Sequence, residues 1–528
     1  MPDPTRTAYD EVLYPSAVYI QTHIDRLAAM ATLFGMSPTP VERCRVLELG
    51  CGDGTNLIAM ALGLPGSQFV GIDLASQAIA KGRATLEAIR LSNVSLHALD
   101  VMQAPADLGS FDFIIAHGLY SWVPAEVRDR IMAICSRHLS ACGVAYVSYN
   151  AYPGNHARDM VRGMMRYHVA QFSEPAEQIR QARSLLKFLS ESKEEPDVYH
   201  ALLKRELERT LTYPDAGFYH DDLSPINHPV YFHEFMAHAA RHGLQYIAEA
   251  DVLDMKEDKR PPQVAAVLAA LDGGDVVARE QYRDFLRCRA FRQTLLCHKA
   301  VQLDRAPKPE RIRDLYIAAE VKMAVPGGDV RSDSPVLFLG PKGAEIETNR
   351  PLVKTAFARL SELWPCHTHF RELLAFVRSH LGRSTDAQPA SMEDETRDLS
   401  QALLQAHLAG FVELHTTTHK FAGAASERPV ASPLARLQLR EGGISVSSMR
   451  HNVLKIEDVL GRHLVMLLDG TRDRAALLAE LGALVKTGAV TVCHDGKPVT
   501  DPQESLQRLA GGLETNLASL ARLALLVG

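Results

Sequence analysis

Between Arg45 and Asn150, short apolar runs alternate with helix-length amphipathic segments, the order expected of a βαβ architecture with a mostly parallel sheet. Arg45–Leu49, Phe69–Ile72, Val94–Leu99, Phe111–Ala116 and Val144–Tyr149 read as strands. Asn56–Leu62, Gln77–Ile89 and Glu126–Leu139 read as the helices between them. The strands are apolar almost throughout, which predicts a sheet covered on both faces.

Tyr152–Pro229 is longer than a simple crossover and mostly helical in pattern, with helices predicted at Arg158–His168 and Glu177–Phe188. It reads as an inserted cap over 152–229. The helix Tyr231–His242, stopped by Gly243, precedes a returning strand at Leu244–Ala248, so the first domain is expected over 1–251. Pro261–Asp272 and Glu280–Cys297 then read as helices, Leu315–Val321 and Val336–Leu339 as strands, and Leu352–Leu363 as a helix. They predict a middle α+β domain over 252–382. Arg383–Ser391 and the Gly/Ala/Ser/Pro-rich Gly423–Pro433 read as linkers around a helical connector, 392–422. Helical patterns at Val459–Leu468, Arg474–Val485 and Leu506–Leu526 make 434–528 a small C-terminal domain.

Composition narrows the class. A chain of 528 residues exceeds one ordinary core, and 46% hydrophobic with 23% charged residues describes a folded globular protein. The net charge of -6, with no sustained Lys/Arg run, argues against a nucleic-acid partner. The eight cysteines lack a paired zinc-like pattern, and Met1–Asp10 does not combine a basic start with an apolar stretch and a cleavage site. A cytoplasmic location is expected. The richest apolar stretches are broken by Asp, Arg and Gly, so no membrane span is expected. Cys366, His367 and His369 crowd together, but a closed metal site needs a further, distant ligand. Structural or surface roles are expected for them, and no metal.

The chemistry starts where strand Val46-Leu47-Glu48-Leu49 runs into Gly50-Cys51-Gly52-Asp53-Gly54. Glycines let a ligand approach the backbone closely. A dinucleotide fingerprint would want its third glycine at position 55, where this chain has Thr55. Asp73, at the end of the second strand, is placed to take both hydroxyls of a ribose. Asp100, at the end of the third, is placed to accept from an adenine amino group. Together the three strand ends describe a seat for an adenosyl cofactor. Three readings stand for Asp53: orienting the turn, touching an amino group of the ligand, or facing solvent.

Glu48–Gly54, Asp73 and Asp100 resemble the cofactor motifs of class I S-adenosylmethionine-dependent methyltransferases. Tyr9–Tyr14, Gln21–His23, His117–Pro124, Tyr149–Gly154, Pro225–Asn227, Tyr231–Phe235 and Gln281–Phe285 are similar to a narrower group. These are bacterial methyltransferases with a methyltransferase regulatory domain, among them rickettsial outer-membrane-protein lysine methyltransferases. The likeness covers most of Tyr9–Leu296. It implies a Rossmann-like catalytic domain with a helical insertion, S-adenosyl-L-methionine as cofactor, and a protein or peptide substrate. Glu48, Gly50, Cys51, Gly52, Asp53, Gly54, Asp73, Leu74, Asp100, Val101 and His117 are the implied cofactor residues. The segment Leu468–Asp473 is faintly similar to winged-helix-like modules.

Methyl transfer needs a neutral nucleophile in line with a sulfonium, so positioning and water exclusion matter most. His117, Tyr120, Trp122, Tyr149 and Asn150 are the candidate catalytic residues. Tyr14, Tyr120, Trp122, Tyr149 and Asn150 are the candidate substrate contacts, since they precede the sheet or follow strands four and five. Tyr19 could fold over the site with the N-terminal segment, and His23 could fix the following helix. The rival readings are a small-molecule methyltransferase and a non-enzymatic scaffold that retains a cofactor pocket.

Overall fold

The computed structural model describes residues 17–193, 197–256, 261–383, 389–418, 420–491, 493–494, 497–499 and 501–528, so Tyr14 lies outside the described residues. Its centre is a seven-stranded sheet of β1 (Arg45–Leu49), β2 (Gln68–Asp73), β3 (Val94–Ala98), β4 (Phe111–Ala116), β5 (Leu139–Asn150), β6 (Leu244–Glu249) and β7 (Phe291–His298). The order is β3-β2-β1-β4-β5-β7-β6, with β7 antiparallel to both neighbours.

Both faces of the sheet are buried, as the apolar runs predict. Val46, Phe69, Leu96, Phe113 and Tyr146 enter one core. Leu47, Ile72, Ile114, Val147 and Tyr149 enter the other. The first core continues through the helix Ile24–Leu33 into Leu352, Phe357 and Leu403 of the middle region. That helix is apolar nearly all round, with Leu27, Ala28, Ala29, Met30 and Ala31 all buried, because it lies between two bodies.

The segment predicted as one helix, Glu280–Cys297, divides. Val276–Arg287 is helical, Cys288 takes φ 48°, and β7 follows, inserted between β5 and β6. The expected boundary at Asp251 therefore leaves out a strand of the catalytic sheet, which ends at His298. Arg292 and Thr294 hid the strand from a hydrophobic pattern: both are polar yet fully buried. Arg292 bonds to Glu249 at 2.6 Å and Asp284 at 2.8 Å, with Glu280 at 3.2 Å, and Thr294 donates to Glu249 at 3.0 Å.

The insertion folds as helices Asn155–Val169, Pro175–Ser190 and Val198–Thr212 around a core of its own, then returns through Asp215–Phe218 and a π-turn, Tyr219–Leu223. Asp222 fixes that turn, held by Arg158 at 3.0 Å and Arg209 at 2.7 Å. In the middle region Tyr316–Ala318 pairs with Thr368–His369 and with Glu413–His415, so the expected connector adds a strand to a small sheet. The C-terminal helices surround a separate core that includes Leu464, Leu477, Leu513 and Leu517.

Candidate functional site

The turn after β1 begins where the apolar strand ends, and its glycines Gly50, Gly52 and Gly54 take φ values of 73°, 57° and 74°. A Cβ on Gly54 would lie 2.7 Å from Leu96, whereas one on Gly52 would meet nothing within 4 Å. Gly52 thus leaves an open cradle over the loop. Asp73 holds the turn in place: the Gly52 N–H donates to it at 2.7 Å and the Ala75 N–H at 2.8 Å. Asp53 accepts from the Thr55 N–H at 3.1 Å and pairs with Lys81 at 3.0 Å, which fits the turn-orienting reading. Asp100 accepts from the Met102 N–H at 2.9 Å. Beside these carboxylates Leu74 and Met102 stand 58% and 43% exposed, apolar surface suited to a flat base.

Two cofactor candidates contribute differently from their side-chain chemistry. Cys51 and Val101 are buried. Burial pushes the Cys51 thiol well above its usual range, so it stays a neutral thiol packed in the core.

Glu48 is buried within β1, with one carboxylate oxygen accepting from Asn56 Nδ2 at 2.8 Å and the other lacking a hydrogen-bond partner. Burial pushes its carboxyl up to about 8, against the Asn56 bond and with help from Asp73 and Asp53. A buried polar oxygen without a partner calls for one. The open cradle, the Asp73 and Asp100 carboxylates and this orphaned oxygen fit an adenosyl amino acid.

At the end of β4, the His117 ring lies against that of Tyr19, with centroids 4.0 Å apart. His117 Nδ1 is 3.0 Å from Tyr146 Oη and 3.3 Å from Ser148 Oγ. The Tyr146 hydroxyl donates to Gln293 Oε1 at 2.9 Å, so its oxygen is left to accept from Nδ1–H. The imidazole lone pair then sits on Nε2. Burial lowers His117 to about 4, which keeps it neutral. Burial, then the charges of Glu48, Asp221 and Asp53, push Tyr19 up to about 12. The centre is a pair of neutral rings with carboxylates around it, one of them from the π-turn of the insertion.

Tyr120 and Tyr149 do not line this site. They are 2% and 1% exposed in the opposite core, where Tyr120 Oη meets His238 Nδ1 at 2.7 Å and Tyr149 stacks on Phe235 at 4.0 Å. The strand alternation explains Tyr149: on β5 it is Tyr146 and Ser148 that reach His117, and the residue between and after them faces away. Trp122 is half-buried beneath Arg162, whose guanidinium lies 5.5 Å from the ring centroid. Asn150 is buried and donates to Asn227 at 2.8 Å, and Asn227 donates to Asp159 at 3.0 Å, so it anchors the insertion to the sheet. Tyr146 and Gln293 escaped the sequence reading, although period-two alternation on β5 held the signal for Tyr146.

Asn56 carried no such signal. Its Oδ1 accepts from the Tyr19 N–H at 3.1 Å and meets His451 Nε2 at 2.8 Å, across 395 positions of sequence. His451 is 2% exposed and packs edge-on to His23, which caps its helix through the Asp25 N–H at 3.3 Å. One amide therefore joins the N-terminal segment, the C-terminal region and Glu48. The Cys366, His367 and His369 group does not converge: His367 stacks on His415 at 3.6 Å, while His369 accepts from the Arg371 N–H at 3.2 Å.

Three families match the chain: "Methyltransferase domain" over residues 46–143, "Predicted methyltransferase regulatory domain" over 214–298, and "PKMT, C-terminal winged helix domain" over 427–525. Protein RP789 of Rickettsia prowazekii (strain Madrid E) is 30% identical over 526 residues, 98% of this chain and 93% of that protein. Protein RP028 of the same organism is 36% identical over 237 residues, 45% of this chain and 95% of its own length. The structure of PKMT2 from Rickettsia typhi in complex with AdoHcy superposes with a TM-score of 0.86 at 28% identity, covering 98% of this chain and 100% of that one.

Proposed function

Because the chain belongs to the S-adenosylmethionine-dependent methyltransferases that resemble rickettsial PKMTs, we propose that it methylates a protein side chain, the ε-amine of lysine. The observation that carries this reading is the neutral Tyr19–His117 pair set among Glu48, Asp53 and Asp221. The Asp53 and Asp221 carboxylates attract a cationic amine to the mouth of the site, while Glu48 stays mostly protonated at neutral pH. The neutral rings then favour its uncharged form, against a reference pKa of about 10.4 for lysine.

S-adenosylmethionine supplies an electrophilic methyl group on a sulfonium sulfur. The Gly50–Gly54 backbone, Asp73, Asp100, Leu74 and Met102 would hold the adenosyl part, and Glu48 the amino group. His117, held by Tyr146 and Ser148 with its lone pair on Nε2, is an acceptor for the amine's hydrogen bond. Tyr19 shields the pair from water. The insertion and the winged-helix region supply surface for a protein partner, which the resemblance to PKMT2 supports. We place the protein in the cytoplasm. The free thiols Cys44, Cys51, Cys135, Cys142, Cys288, Cys297 and Cys366 support that setting, and among the described residues no helix is long and apolar enough to cross a membrane.

The test is to incubate the full chain with S-adenosylmethionine and a bacterial protein extract, then map peptides by mass. Enzyme-dependent gains of one, two or three methylene units on lysines are expected. Methyl label confined to small metabolites would overturn the protein acceptor and favour a small-molecule enzyme.

A further inference from the structure

On the sheet face away from His117, two histidines one helical turn apart meet a carboxylate from another helix. His238 and His242 lie at the end of the helix Phe232–Arg241, and Asp129 lies in the helix Ala125–His138. Asp129 Oδ1 is 3.2 Å from His238 Nε2 and 2.8 Å from His242 Nε2. The three ligand atoms all lie within 4.8 Å of one another. Histidines spaced i, i+4 share one face of a helix, so the chelate is built into the sequence spacing.

We propose that Asp129, His238 and His242 form a site for a divalent transition-metal ion of the zinc type, with water completing its coordination. Zinc–nitrogen and zinc–oxygen bonds of about 2.0–2.2 Å place tetrahedral ligand atoms about 3.3 Å apart. The separations to Asp129 are already close to that, and its 59% exposed side chain is free to open by the remaining few tenths of an ångström.

A second feature supports the assignment. The other ring nitrogen of His238, Nδ1, is 2.7 Å from the buried Tyr120 hydroxyl. When Nε2 binds metal, Nδ1–H donates to that oxygen, the outer contact that fixes a ligating imidazole in one tautomer and one orientation. Without the ion, the Nε2 atoms of both histidines face Asp129 and hydrogen-bond to it. Binding exchanges those N–H bonds for metal bonds: the Nε2 proton of His238 moves to its Nδ1, and that of His242 moves to its own Nδ1, so each ring stays neutral and ligates through Nε2. Arg241 and Arg128 are the nearby cations, Arg128 lying 5.7 Å over the Tyr120 ring. They repel any divalent cation alike, so the preference for imidazole-binding metals over calcium or magnesium comes from the two histidine ligands.

Tyr120 gives the site a route to the chemistry. It belongs to the same loop as His117, three residues on, so an ion that fixes His238 also fixes the segment that presents His117.

The full chain, stripped with a chelator, is to be titrated with zinc chloride by calorimetry and with cobalt(II) by visible absorption. One saturable equivalent is expected, with the intense visible bands of tetrahedral cobalt. His242→Ala removes that equivalent and Asp129→Asn weakens it at least tenfold. Because His242 is partly exposed at a helix end, these variants keep the fold, which circular dichroism checks. His242→Cys retains one equivalent and adds a sulfur-to-cobalt charge-transfer band, a signature only a ligand at this position produces. Equal stoichiometry and affinity in the wild type and His242→Ala, or no saturable zinc in the wild type, would overturn the site and leave the methyltransferase reading intact.

Discussion

The carboxyl ends of β1–β3 and the seam of β5, β7 and β6 handle charge in opposite ways. At the strand ends Asp53, Asp73 and Asp100 each accept from backbone N–H groups of the cofactor loops, mostly within two residues, and remain near solvent. At the seam, Arg292 is fully buried and is ringed by Glu249, Asp284 and Glu280 from β6 and the helix Val276–Arg287. The first arrangement is local, so short motifs encode it, and it leaves capacity for a ligand. The second is closed on itself: its members satisfy one another, and its service is to hold β7 against its neighbours.

The sharpest break in this comparison is Arg292→Met. It leaves buried Glu249 without a cation and takes one partner each from Asp284, which keeps Arg289, and Glu280, which keeps Arg283; removing one partner of such a buried set costs about 3–5 kcal/mol. Chemical denaturation should show a loss of that size, while the fraction that remains folded binds S-adenosylmethionine with near wild-type affinity. A stability change under 1 kcal/mol would mean that the seam is no more than a surface-like ion pair. Its effect on cofactor binding should be the smaller of the two, since no atom of Arg292 reaches the loop.

Next in size is Asp73→Ala, which removes the acceptor for the Gly52 and Ala75 N–H groups and the proposed ribose contact. Charge-assisted bonds of this kind contribute about 1.5–3 kcal/mol, so cofactor affinity should fall about ten- to a hundredfold. Calorimetry reads the affinity and thermal melting reads the fold, which should change little. His451→Ala tests whether the distinction between local and long-range holds. It breaks the 2.8 Å contact with Asn56 from a region 395 positions away. A loss of about 1 kcal/mol, severalfold in affinity, is expected, because Asn56 also holds Glu48. Unchanged affinity with a normal fold would confine the winged-helix region to substrate handling.

The same division governs what the sequence made legible. Strands β1–β5 and the glycine turn follow from apolar runs broken by Gly50–Gly54, and the carboxylates Asp73 and Asp100 follow from their places at strand ends. β7 did not, because Arg292 and Thr294 are paired to partners in other elements and carry no hydrophobic signature. Residue type and proximity to strand ends point Tyr120 and Tyr149 to the pocket. Which way each points depends on a period-two register that places Tyr146 and Ser148 by His117 instead. Asn56 and His451 belong to the least legible class, for neither residue identifies the other until the chain is folded.

The finest test lies within the cofactor end, where Glu48 combines both behaviours. It sits in the local motif, yet it is buried like the seam residues, and one of its oxygens has no donor. Its carboxyl stands at about 8, from burial first, with Asp73 and Asp53 adding to the shift and Asn56 opposing it. A carboxyl raised from 4.5 to about 8 favours the native state fully below pH 4.5, and that contribution is lost as the pH rises through 8. A cationic amino group beside it reverses the preference, since an opposite charge stabilises the carboxylate. Binding S-adenosylmethionine at pH 7 should therefore release close to one proton, about 0.9 for a group titrating near 8. Calorimetry in buffers of different ionisation enthalpy measures that number directly, and the affinity should rise with pH between 6 and 8. Tyr19, held near 12, stays neutral across this range and does not contribute. Glu48→Gln keeps the size and the bond to Asn56 but has no proton to release, so its binding heat should be independent of buffer, and its stability should decline less between pH 5 and 8. If the wild type releases no proton and Glu48→Gln binds equally well at every pH, Glu48 is a structural acid of the loop, and the cofactor's amino group is held elsewhere.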